Sequence, residues 1–169
     1  AAGQESALNM ATPKLKAVRV AFVGLGMRGH DAVERWTHIP GIQVMALCDY
    51  ERDRAERCQE YLRKASMPAA DIYSGEDGYK ELCKRKDIDL VYIAPDWKHH
   101  FLVAYEAMNN GKHVAVEVPA AMNLTEIWKL IDISEKKRLH CMMLENCCYD
   151  FFELNSLNMA QKDVFGEIL

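Results

Sequence analysis

Short apolar runs alternate with amphipathic segments along almost the whole chain, and this alternation constrains the fold more than any other feature. Residues 18–23 and 42–48 have the continuous apolar character of strands buried on both faces. Residues 52–65 repeat their apolar side chains at the spacing of a helix. Further strands are predicted at residues 72–73, 90–94, 113–116 and 140–144, and further helices at 31–38, 79–84, 99–110, 125–137 and about 150–161. Strands separated by helices predict an α/β fold with a doubly wound parallel sheet.

Composition and charge agree with one folded domain and exclude several other classes. The chain has 169 residues, 50% hydrophobic and 27% charged, which excludes a disordered chain, a collagen-like repeat and a coiled coil. No apolar run reaches the roughly 20 residues that span a bilayer, so no membrane span is predicted. The net charge is −4, and the densest basic stretch, residues 84–86, is followed by Asp87 and Asp89. We therefore expect no nucleic-acid partner.

The two ends of the chain differ from the alternating region between them. Residues 1–16 are small, polar and aperiodic, which predicts a disordered or leader segment. Residues 17–164 form the predicted folded domain. Residues 165–169 look like a strand that begins where the sequence stops, so we expect them to start a truncated C-terminal domain.

The cysteines favour free thiols over a disulfide framework. None of the six stands in a C-x-x-C pair, and Cys48 and Cys141 lie inside apolar, strand-like runs. Cys147 and Cys148 are adjacent, which suits neither an ordinary intrachain bridge nor zinc spacing. Since no histidines or cysteines stand at ligand spacing on one helix face, we predict no metal site.

A glycine-rich segment, Gly24-Leu25-Gly26-Met27-Arg28-Gly29, follows the first predicted strand and opens a helix. In a G-x-G-x-x-G turn the first glycine permits the tight bend, the second admits a pyrophosphate, and the third lets helix and strand pack closely. The helix N-terminus would favour the negative phosphates. Alone the pattern is weak and fits a merely structural turn, but its place between strand and helix predicts a dinucleotide site of the Rossmann type.

Asp49 ends the second predicted strand, about 20 residues beyond the third glycine. A carboxylate at this place can accept both ribose hydroxyls of the adenosine and repels the 2′-phosphate of NADP, so NAD is the predicted cofactor. The alternative is a strand-end acid that caps the helix beginning near Glu51.

Polar residues also follow the later strands, at the sheet edge where ligands of open parallel sheets bind. Some of these residues also have structural alternatives to ligand binding. Trp97 could anchor a loop, His99 and His100 could be ordinary first-turn helix residues, and Asn146 could be a helix N-cap. Tyr149 is either a proton donor near the nicotinamide or a core aromatic. The catalytic residues remain unidentified, with His100 and Tyr149 as candidates. The residues that share this edge are Asp96, Trp97, Lys98, His99, His100, Glu117, Glu145 and Asn146.

Taken together, these motifs resemble the glucose–fructose oxidoreductase and inositol dehydrogenase superfamily. The signs are GLGMRG, Asp49, PDWKHH and the EVP segment after the fifth strand. Most members carry Glu-Lys-Pro there, with the lysine beside nicotinamide and substrate, whereas this chain has Val118. A valine can neither donate a hydrogen bond nor carry charge. The combination of GMRG, WKHH, EVPAA and LENCCY instead resembles glycoside hydrolase family 109, the NAD-dependent α-N-acetylgalactosaminidases.

This resemblance implies that residues 17–164 are an NAD-binding domain. It also implies a second, α+β domain, beyond this chain, that binds the sugar and through which the parent protein associates. The 169-residue piece alone is then expected to be inactive. The NAD contacts carried over from the family are Met27, Arg28, Asp49, Trp97, Lys98, His99, His100, Glu117, Val118 and Asn146.

The reaction that the resemblance implies is hydrolysis without net oxidation. NAD takes hydride from the sugar C3, the ketone acidifies the C2 proton, a base removes that proton, and the C1 group is eliminated. Water then adds and the hydride returns, which makes such enzymes an exception to the paired-carboxylate glycosidases. Two alternatives stay open: a sugar or cyclitol dehydrogenase of the same superfamily, and a non-catalytic NAD-binding module.

Overall fold

The computed structural model describes residues 5–7 and 10–167 and has a parallel sheet at its centre. Its strands are β1 (Val18–Val23), β2 (Ile42–Asp49), β3 (Asp71–Ser74), β4 (Leu90–Ile93), β5 (His113–Glu117) and β6 (Cys141–Leu144). The helices are α1 (Met27–Trp36), α2 (Arg52–Lys64), α3 (Gly78–Cys83), α4 (Trp97–Asn109), α5 (Leu124–Lys137) and α6 (Phe151–Gln161), with a 3₁₀ turn at Asn146–Tyr149. The strand order β3-β2-β1-β4-β5-β6 confirms the predicted doubly wound fold.

Both faces of the sheet are buried. Val20 and Phe22 of β1 pack with α1 and α2, whereas Ala21 and Val23 pack with α3, α4 and α5 on the opposite face. This division follows from the alternation of side chains along a strand, and it explains why the strands have continuous apolar runs. From β1 the sheet extends to one side through β2 and β3 and to the other side through β4, β5 and β6. The carboxyl ends of β1 and β4, where the strand order reverses, therefore border the crevice in which such sheets bind ligands.

The main differences from the predicted elements lie at helix starts. The first helix begins at Met27 rather than residue 31, directly after Gly26, and α4 begins at Trp97 rather than residue 99. In α4 the Asp96 side chain accepts a hydrogen bond from the Lys98 amide, which fixes the earlier start. The strand predicted from residue 165 is not seen over 165–167, where Phe165 lies in a turn; residues 168–169 lie outside the described part.

The described residues before β1 form no helix or strand, yet some contact the end of α5 and the residue that follows it. Arg138 donates from Nη1 to the carbonyl oxygens of Glu5 and Ser6, each at 3.0 Å. The Ala7 amide donates to the Glu135 carboxylate at 3.3 Å. The boundary at residues 16–17 stays a prediction. Of the helices within the described residues, none combines the length and apolar character required to cross a bilayer.

All six cysteines are free thiols, as predicted. Cys48, Cys58 and Cys83 are buried, and burial raises the pKa of the Cys48 and Cys83 thiols to about 12. Cys147 and Cys148 are exposed in the 3₁₀ turn. No metal-binding group of histidine, cysteine or acidic residues occurs within the described ranges.

This difference in exposure predicts selective alkylation. Because thiolates are the reactive species, iodoacetamide at neutral pH should modify Cys147 and Cys148 in the folded protein and spare Cys48, Cys58 and Cys83. Peptide mass spectrometry before and after denaturation measures the pattern. Rapid labelling of Cys48 without denaturant would contradict the burial of this thiol.

Candidate functional site

A crevice of about 680 Å³ opens at the carboxyl ends of β1, β2 and β4. Of the residues predicted to bind the cofactor, it brings together Gly24, Gly26, Met27, Arg28, Asp49 and His99. The crevice is also lined by Asp96, which the sequence placed at this edge, and by residues that it did not point to, among them Tyr50, Arg54, Glu76 and Tyr79. Most of these follow the ends of β2, β3 and β4, which is the signal that could have identified them.

The glycine-rich turn is shaped by its first and third glycines. Gly24 has a φ of +86°, and a Cβ there would collide with the backbone of Ala94 and Pro95. A Cβ at Gly29 would overlap the carbonyl oxygen of Gly24, so this helix can approach the strand only without a side chain.

Gly26 differs from its neighbours because the fold itself does not require a glycine there. A Cβ at this position would meet no atom within 4 Å. Gly26 is the N-cap of α1 and lines the crevice, where the first amides of the helix have no side-chain cap. The space beside Gly26 and the partial positive charge of the helix N-terminus together fit the pyrophosphate of a dinucleotide.

Asp49 holds the glycine-rich turn and the start of α2 together. Its carboxylate accepts hydrogen bonds from the Leu25 amide at 2.6 Å and the Glu51 amide at 3.0 Å. Arg54 Nη1 lies 3.5 Å away, and Asp49 is only 6% exposed. Asp49 does not cap α2, because the N-cap of that helix is Glu51 and no side chain caps it. Asp49 forms part of the crevice wall where the ribose is predicted.

A partly buried network links the glycine-rich turn to β5. Arg28 Nε donates to Glu117 Oε1 at 3.0 Å, and the Tyr92 hydroxyl donates to the same oxygen at 2.5 Å. Burial first, and then Glu117, raise the pKa of Tyr92, while the hydrogen bond to Glu117 raises the pKa of Arg28. This hydrogen bond ties the Arg28 guanidinium to the end of β5. No pattern in the sequence pointed to Tyr92, because this residue lies within an apolar strand.

His100 is buried beneath the crevice rather than lining it. Its Nδ1 lies 2.7 Å from the Pro119 carbonyl oxygen and its Nε2 lies 3.3 Å from the Pro95 carbonyl oxygen. The ring lies between the loops that follow β4 and β5, with a backbone carbonyl oxygen beside each nitrogen. This geometry gives His100 a structural role in holding the crevice edge.

The remaining predicted residues lie around the rim. Trp97, Lys98, Val118 and Asn146 are exposed and do not line the crevice. Asn146 is not a helix cap, because the Glu145 side chain accepts from the Cys147 amide and takes that place.

Tyr149 lies in the 3₁₀ turn that follows β6. It is 67% exposed, so the alternative of a core aromatic is wrong.

Relatives of high identity match almost the whole of this chain but are much longer than it. A glycosyl hydrolase family 109 protein of Phocaeicola vulgatus is 69% identical over 167 residues, which is 99% of this chain and 32% of that protein. A family 109 protein of Bacteroides thetaiotaomicron is 62% identical over 169 residues, with 99% and 36% covered. The chain therefore spans about a third of the length of these relatives.

Solved structures share the fold at low identity. A myo-inositol 2-dehydrogenase from Lactobacillus plantarum has a TM-score of 0.76 at 20% identity, covering 91% of this chain and 44% of that one. A 3-ketoreductase from Actinomadura kijaniata in complex with NADP has a TM-score of 0.72 at 23% identity, covering 90% and 46%.

Residues 18–145 match a family described as oxidoreductases with an NAD-binding Rossmann fold. This range contains the whole crevice and the strands that form it. The chain therefore belongs to the NAD-binding Rossmann oxidoreductase family, and its resemblance to glycoside hydrolase family 109 extends along nearly its full length.

Proposed function

We propose that this chain is the NAD-binding part of a longer glycosidase that hydrolyses α-N-acetylgalactosaminides. The observation that carries the proposal is the 62–69% identity to proteins named as family 109 glycosyl hydrolases, over 98–99% of the chain. The crevice supports it, because Gly26 leaves room for a pyrophosphate at the start of α1.

The residues of this chain bind and orient the cofactor. The α1 amides beside Gly26 would hold the phosphates, and Asp49 would hold the adenosine ribose. When bound there, NAD supplies a reversible hydride acceptor for a sugar carbon. Val118, at the position where most superfamily members carry lysine, offers no proton donor. Proton transfer on the sugar would then fall to Tyr149, the exposed candidate in this chain, or to groups outside it.

The proposed activity predicts sugar release without net NADH. An aryl α-N-acetylgalactosaminide should be cleaved by the longer parent protein over many turnovers while NADH absorbance stays at or below one equivalent. Gly26→Ala in the same protein is the control, and it should lose the release because NAD is not held. Stoichiometric NADH from a free sugar would instead establish a dehydrogenase.

The dehydrogenase is the second candidate, favoured by the match to an oxidoreductase family and by the fold shared with a myo-inositol 2-dehydrogenase. The isolated 169-residue chain should bind NAD without turnover in either case. If the longer protein also binds NAD but neither cleaves glycosides nor oxidises sugars, the non-catalytic module is the correct description.

A further inference from the structure

We propose that Tyr92 is a positioning residue for phosphate binding, because through Glu117 it ties the first turn of α1 (residues 27–30) to β5. The inference rests on the NAD binding proposed for this domain and is independent of the reaction on the sugar. Tyr92 is not among the predicted cofactor contacts and does not line the crevice. Its effect on a ligand must therefore pass through other residues.

The Tyr92 hydroxyl has a defined position because its ring is packed against two other aromatic rings. Tyr92 is 1% exposed, and its ring centroid lies 5.2 Å from that of Phe22 and 5.5 Å from that of Trp36. Phe22 belongs to β1 and Trp36 is the last residue of α1, so these contacts join β4 to the unit that carries the glycine-rich turn. Burial, and then the bond to Glu117, raise the pKa of Tyr92, which keeps its hydroxyl protonated as a donor.

Glu117 connects this hydroxyl to α1. Its Oε1 accepts a hydrogen bond from the Tyr92 hydroxyl at 2.5 Å and another from Arg28 Nε at 3.0 Å. Glu117 is the last residue of β5 and only 9% exposed, so its carboxylate depends on such partners to offset the loss of water. Because both donors meet on the same oxygen, the Tyr92 hydroxyl holds the carboxylate where Arg28 reaches it.

The tether acts on the same turn whose amides are proposed to hold the phosphates. Arg28 is the second residue of α1 and lines the crevice together with Gly26. The start of α1 has no side-chain cap, and its first internal hydrogen bond runs from the His30 amide to the Gly26 carbonyl oxygen at 2.9 Å. Since β4 lies between β1 and β5, the bond from Arg28 to Glu117 reaches across β4. This bond therefore limits how far the first turn can move from the sheet edge.

The first test needs no ligand. Tyr92→Phe removes the hydroxyl and keeps the ring, so hydrogen exchange at the His30 amide, which reports opening of the first turn, should become about threefold faster or more. Tyr105→Phe is the matched control, because Tyr105 packs on Phe101 at the opposite face of the sheet, and it should leave this exchange unchanged. Unchanged exchange at His30 in Tyr92→Phe would overturn the proposal. An equal acceleration at the amides of β2 would report general destabilisation and would overturn it too.

The second test compares ligands with and without phosphate by NMR titration. Tyr92→Phe should weaken the binding of NAD and of ADP by the same factor, about threefold to fivefold, because both carry the pyrophosphate that the turn would hold. Adenosine, which has no phosphate, should bind as it does to the wild type. A loss confined to NAD would place the effect on the nicotinamide half, and an equal loss for adenosine would indicate general damage to the crevice. Either result would overturn the proposal.

A double-mutant cycle tests the route through Arg28. Arg28→Met removes the guanidinium, so in that background Tyr92→Phe should change the ADP affinity by less than about 1.5-fold. An equal cost of Tyr92→Phe in both backgrounds would show that the hydroxyl acts without the tether and would overturn the proposal. A wild-type chain that binds neither NAD nor ADP would overturn the NAD assignment together with this inference. If the ADP affinities change as expected but the longer protein cleaves no glycoside, only the proposed reaction is wrong.

Discussion

Replacing Gly26 with alanine is expected to lower NAD affinity at least tenfold while leaving the free energy of unfolding within about 0.5 kcal/mol of wild type. The added methyl group meets no protein atom within 4 Å, and Gly26 does not have a positive φ. The added methyl group does, however, fill the space through which a pyrophosphate reaches the α1 amides. Calorimetric titration with NAD and urea unfolding measure the two quantities.

The other glycines of the turn provide the matched contrast. Gly29→Ala places its methyl group against the Gly24 carbonyl, and Gly24→Ala places one against the Pro95 backbone in a conformation that disfavours side chains. Both should destabilise the domain by about 3 kcal/mol or more. Gly26→Ala binding NAD like wild type would contradict the placement of the phosphates.

Asp49→Ala should lose both NAD affinity and stability. The ribose would lose its acceptor, and the buried Leu25 amide would lose the carboxylate that now accepts from it at 2.6 Å. Leaving such a donor unpaired costs about 1–3 kcal/mol in the free energy of unfolding. The NAD affinity and the free energy of unfolding, both measured on Asp49→Ala, should therefore decrease together.

Asp49→Asn separates the two roles of this residue. The amide oxygen can still accept from one backbone N–H, so stability should be intermediate, while the negative charge that repels the 2′-phosphate is gone. The ratio of NAD to NADP affinity should then fall. Asp71→Ala, which removes an exposed carboxylate at the start of β3, is the control and should leave the ratio unchanged. Equal binding of NAD and NADP by the wild type would refute this role of Asp49.

Sequence patterns predicted the strands better than the helix starts. The bounds of β1 were predicted without error, because four of its residues, 20–23, are consecutive, apolar and buried. The first turns of α1 and α4 were missed because they contain exposed residues, Met27 and Arg28 in one case and Trp97 and Lys98 in the other. Such turns carry polar or exposed side chains and lack helical periodicity.

What the sequence determined by itself is the parallel sheet, the glycine-rich turn and the place of Asp49 at the end of β2, since each depends on local periodicity or short spacing. Only the tertiary structure decided how the charged groups are paired. Arg28 meets Glu117 across 89 positions of sequence, and Asp49 meets the Leu25 amide across 24. Which oxygen accepts from which donor depends on how the loops pack over the sheet edge, and no local pattern encodes that packing.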